Sequence, residues 1–120
     1  MSIIGKWSVL DSNSTSGFIS FDKDGYALIK EDDGPVIGGR EFILEGRKGQ
    51  ISYSVNYDKK PIEIDLIITE LDSNRELRML CIAEFIDQDT LLFTYSFDIA
   101  ARPLDFDSHE VLTLKRTKLD

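Results

Sequence analysis

Apolar and polar residues alternate with a period of two along most of this chain. In residues 50–57, Ile51, Tyr53, Val55 and Tyr57 alternate with Ser52, Ser54 and Asn56, the pattern of a strand with one buried face. Residues 62–71 place Ile62, Ile64, Leu66 and Ile68 opposite Glu63 and Asp65. Residues 76–86 set Leu77, Met79, Cys81, Ala83 and Phe85 against Arg78 and Glu84. Leu91, Phe93, Tyr95 and Phe97 then alternate with Thr94, Ser96 and Asp98. Shorter strands are predicted at 4–10, 17–22, 26–31, 40–45 and 110–117.

Between them lies turn chemistry. Asp22-Lys23-Asp24-Gly25 is a tight hairpin signal, and 45–49, 72–74 and 87–89 read the same way. Only 32–39 and 99–109 are longer connections. Eight or nine consecutive strands joined in this way predict an all-β fold, an antiparallel up-and-down barrel of about eight strands. Closure removes exposed strand edges. At that strand number the interior is either filled by side chains or wide enough for one small ligand. No repeat or linker divides residues 1–120, so a single domain is expected.

Composition narrows the function classes. With 42% hydrophobic residues there is material for a core. A net charge of −8 disfavours nucleic acid and anionic membranes, which are bound through Lys and Arg, and suits a basic protein partner. The start of the sequence has no cationic region followed by an apolar run, so no signal peptide is expected. Cys81 is alone and cannot form an internal disulfide. A cytoplasmic location follows as the expectation.

The single tryptophan stands in Gly5-Lys6-Trp7 on the first strand, and the last strand reads Leu112-Thr113-Leu114-Lys115-Arg116. This pairing resembles the G-x-W signature of the lipocalins and related calycin barrels, where a basic residue of the last strand lies across the indole. The resemblance implies that Trp7 and Arg116 close one end of a lipocalin-like barrel. The segments Y-D-K-K-P-I-E-I-D-L (57–66), I-A-E-F-I-D-Q-D-T-L (82–91), A-R-P-L-D-F (101–106) and L-T-L-K-R (112–116) are similar to an uncharacterised bacterial lipocalin-like domain family. That family carries K-P-x-x-I-D-L, Y-x-x-x-G-D-x-L, R-P-x-x-F and L-K-R motifs. Phe85 and Gln88 depart from its hairpin pattern. The likeness bears on fold and carries no activity.

Several motifs have plainer explanations. Asp22, Asp24, Gly25 and Glu31 fall on positions of a calcium loop, but Ser20 replaces its first ligand and the flanks alternate as strands, so a hairpin is the expected reading. One histidine, His109, and one cysteine, Cys81, are too few for a zinc site. Cys81 shares a face with Met79 and Phe85, which predicts a buried, inert thiol. The pairs Glu63/Asp65, Asp87/Asp89 and Asp105/Asp107 lie on polar faces or in turns, and only Glu70 is expected inward among the acids. Residues 34–39 lack the Lys-Ser/Thr of a phosphate loop and read as a mobile loop over the barrel mouth. Arg102 is expected to pin its loop by a salt bridge with Asp98, Asp105 or Asp107.

No catalytic residue, metal ligand or cofactor is assigned, and the chain is read as a non-enzyme. The aromatics carry the functional expectation. Phe42, Tyr53, Tyr57, Phe85, Phe93 and Tyr95 have inward parity, as does Phe97, and are expected to line a lumen that holds a small apolar or amphipathic molecule. The alternative is an acidic protein-interaction module, of inhibitor or immunity type, whose barrel is filled by its own rings.

Overall fold

The computed structural model describes residues 2–10, 17–31, 34–96, 102–106 and 111–117, with the exception of the Tyr95 side chain. Nine antiparallel strands follow one another around a closed barrel. They are β1 (Gly5–Leu10), β2 (Phe18–Phe21), β3 (Ala27–Lys30), β4 (Val36–Leu44), β5 (Arg47–Asn56), β6 (Ile62–Glu70), β7 (Arg75–Asp87), β8 (Thr90–Ser96) and β9 (Leu112–Arg116). The last strand closes on the first, with Trp7 opposite Arg116 and Val9 opposite Leu114.

The hairpin at Asp22 is built by its own carboxylate. Oδ1 of Asp22 accepts the amide protons of Asp24 and Tyr26, each at 2.9 Å, which fixes the turn locally. The same device recurs after β7, where Asp87 Oδ1 accepts the Asp89 amide at 2.8 Å. That hydrogen bond, with help from Thr90 and Lys115, holds the Asp87 carboxyl below its ordinary range.

One expectation fails in this part of the chain. Residues 36–39 belong to β4, paired with β3 through Leu28↔Gly38 and Lys30↔Val36, and are not a loop over the mouth. The Gly-Gly pair hid the strand because it lacks the side chains that make alternation visible. Gly38 is required by close approach: a Cβ there would stand 2.1 Å from the Ala27 carbonyl oxygen, at a φ of +120°. The register then shifts between Gly39 and Phe42, a bulge that bends β4 and helps the barrel close.

Inward parity holds along the remaining strands. Trp7, Phe21, Ile51, Ile64, Leu66, Cys81, Leu91 and Leu114 have 0–1% of their surface exposed. These buried side chains pack against one another, each large one contributing roughly 1.5–3 kcal/mol through burial.

A second buried layer lies outside the barrel. Ile82 and Thr94 face each other across β7 and β8 with outward parity, yet they are 2% and 0% exposed. The chain must cover the outer face here. Pro103 is buried and Arg102 bonds to β6, which places residues 102–106 on this side as a strap. Among the described residues, no helix is long and apolar enough to cross a membrane.

Candidate binding cleft beside the closed end

Trp7 and Arg116 meet as the sequence implied. The guanidinium carbon lies 4.3 Å from the indole centroid. Arg116 also donates to Ile4 O and Ser2 O at 2.7 Å each and to Gln88 O at 3.1 Å, and pairs with Asp89 at 3.3 Å. These bonds draw residues 2–4 across the barrel end, where the buried Ile3 acts as a plug. The Trp7 Nε1–H donates to Ile3 O at 2.8 Å, so the indole's polar edge is satisfied where it is buried.

The six rings expected in the lumen do not form one site. Phe93 is 3% exposed within the packed core. Tyr53 stands edge-on to Phe21 at 4.9 Å and donates its hydroxyl proton to Asp22 O at 2.5 Å. Burial, then the neighbouring Tyr57 and Asp22, push the Tyr53 hydroxyl above its ordinary pKa. Phe42 lies half-buried over Gly49, whose missing side chain makes room for the ring. The side chain of Tyr95, like Phe97, Asp98, Asp107 and His109, lies outside the described residues.

Tyr57 is the most exposed of the described rings, at 42%. β5 ends at Asn56, whose side-chain oxygen accepts the Asp58 amide and starts a turn. Its hydroxyl accepts the Ile3 amide proton at 3.1 Å, tying the turn to the N-terminal plug.

Tyr57 and Phe85 do come together, in a cleft of about 700 Å³ next to the closed end. One wall is the β5–β6 turn, with Tyr57, Lys59, Lys60 and Pro61, and the opposite wall is the strap, with Leu104, Asp105 and Phe106. Ile62 and residues 83–85 form the floor. Phe85 backs onto Trp7 with ring centroids 6.2 Å apart, so the floor rests on the closed end. Apolar surface is exposed at this cleft: Leu104 is 86% accessible.

Arg102 positions the strap wall. It donates to Cys81 O at 2.8 Å and Ile64 O at 3.2 Å. It also bonds to the Asp65 carboxylate and lies 3.8 Å from Glu63. A salt bridge does pin the loop, and among the described residues Asp65 and Glu63 of β6 supply carboxylates for it. These contacts bring the R-P-x-x-F and K-P-x-x-I-D-L segments together, since Arg102 bonds Asp65 while Phe106, Lys60 and Pro61 line the same cleft. The lining residues Lys59, Lys60, Leu104 and Phe106 were missed as site residues; those two motifs were the signal for them.

Two further reactive groups among the described residues are Cys81 and Glu70. The Cys81 thiol is fully buried, and burial pushes its pKa up to about 12. Glu70 pairs with Arg47 at 3.7 Å at the strand end. Compared with known proteins, the chain matches no family model, no curated protein and no solved structure.

Proposed function

We propose that this protein is a non-catalytic, protein-interaction module whose lipocalin-like barrel is filled by its own side chains. One observation carries the reading: Leu104 and Tyr57, 86% and 42% exposed, line a cleft together with Phe85 and Phe106. Clustered exposed apolar side chains mark interaction surfaces. The net charge of −8 favours a basic partner through long-range attraction, and a lone buried cysteine suits a cytoplasmic setting.

A small amphipathic molecule is the second reading, placed in the cleft. The cleft's volume and the nearness of Lys59 and Lys60 to Tyr57 and Phe85 favour it.

The test compares affinity capture by the wild type and by Leu104→Asp, quantified by mass spectrometry, with native mass spectrometry of the purified protein. A protein captured only by the wild type, and rebinding it when both are pure, supports the interaction reading. A small mass lost on denaturation, with no differential partner, overturns it in favour of the second.

A further inference from the structure

In the cleft, β7 has no partner strand on its β6 side beyond Ala83 among the described residues. The β6–β7 ladder ends at Ile62↔Ala83, whereas β7 runs on to Asp87 beside β8 alone, through Glu84↔Leu92, Phe85↔Leu91 and Asp87↔Thr90. The direction of the backbone groups on this overhang follows from Arg102. A single guanidinium nitrogen reaches both Ile64 O and Cys81 O, so these two carbonyls point into the same space between β6 and β7. Along a strand the direction of N–H and C=O repeats every second residue. Ala83 and Phe85 therefore turn theirs to the same side as Cys81. At Phe85 there is no β6 residue to meet them, and among the described residues no turn or loop backbone group bonds there. The N–H and C=O of Phe85 face the cleft.

Resting on the interaction reading above, we propose that the partner enters as an extended polypeptide segment that adds a strand to β7 at Phe85. Backbone pairing supplies the fixed geometry, and alternate side chains of the guest supply selectivity. A guest residue on the inner side meets Tyr57, Phe106 and the exposed Leu104, which calls for a large apolar side chain. A small apolar molecule would leave the Phe85 amide and carbonyl without partners inside the complex, and a buried unpaired amide is unfavourable. The bulge between Phe85 and Asp87 ends the edge, so the guest pairs over a short stretch.

The experiment uses a displayed library of short linear peptides selected against the intact protein, with Leu104→Asp as the counter-target. Leu104 is 86% exposed, so this variant keeps the fold, as a thermal melt verifies. The selected peptide is then synthesised with single N-methyl groups at successive amides, and hydrogen exchange of Phe85 is measured with and without it. The expected result is roughly tenfold weaker binding for N-methylation at the one guest amide that faces Phe85, the loss of one strand hydrogen bond, together with slower exchange at Phe85. Peptides that bind wild type but not Leu104→Asp, yet tolerate every N-methyl group and leave Phe85 exchange unchanged, would overturn strand addition while leaving the interaction reading in place. A selection that yields no peptide sensitive to Leu104→Asp overturns both.

Discussion

The Arg116 guanidinium lies over the Trp7 ring at 4.3 Å, and the two residues face each other across the seam where β9 meets β1. This one contact joins the ends of the chain and also gathers carbonyls from Ser2, Ile4 and Gln88 onto a single side chain. Replacing Arg116 by Ala removes the cation–π attraction and leaves those carbonyls to water, a loss of about 2–3 kcal/mol. Arg116→Lys keeps the charge but not the fork of donors and recovers less than half of the loss. Urea titration followed by Trp7 fluorescence measures both.

Gly5 serves the same contact. A Cβ at residue 5 would stand 2.8 Å from Arg116 Nη1, and its φ of +133° disfavours any side chain. Gly5→Ala is expected to destabilise by about 1–3 kcal/mol. In an Arg116→Ala background only the backbone part of that cost remains. A double-mutant cycle then gives a coupling of about 1 kcal/mol; strict additivity would show that the glycine is not there for the arginine.

Arg102 is set up to hold the strap without building the barrel. It and Asp65 are about one-fifth exposed (20% and 19%), so the pair is screened less than a surface bridge. Arg102→Ala leaves Asp65 with Arg78 at 3.2 Å and should cost about 2 kcal/mol. The change is expected to show first as faster proteolysis between 102 and 106, with strand content by circular dichroism preserved.

Cys81 gives stability a pH dependence of known sign. Burial pushes its thiol up to about 12 in the folded protein, from an ordinary value near 9.0. Its stabilising contribution is complete below pH 9. It is lost as pH rises toward 12, because the unfolded chain releases the proton first. The slope from this group is at most about 1.4 kcal/mol per pH unit. Cys81→Ala lowers stability at neutral pH by opening a small void, and the gap between variant and wild type should narrow above pH 9. A gap that stays constant from pH 8 to 11 would show the thiol to be solvent-accessible. Thiol reagents at neutral pH are expected to label Cys81 only on unfolding.

Along β5 to β8, period-two alternation was sufficient to read strand, face and register neighbours, because each strand has one wet and one dry side. It failed where side chains stop reporting on environment. Gly38 and Gly39 carry none, so the start of β4 read as loop. The Trp7–Arg116 closure was legible because both residues are of rare type and sit at the two ends that a closed meander must join.

The sequence by itself determined the strands, their order and the apolar set turned inward, since hydrophobic alternation is a local property of the chain. Tertiary structure alone decided which inward side chains are sealed and which stay partly open, since that depends on how side chains from opposite strands interlock across the lumen. It also decided where the cleft forms. That cleft is made by Arg102 reaching Asp65 across 37 residues and by β7 outrunning β6, and local alternation encodes neither.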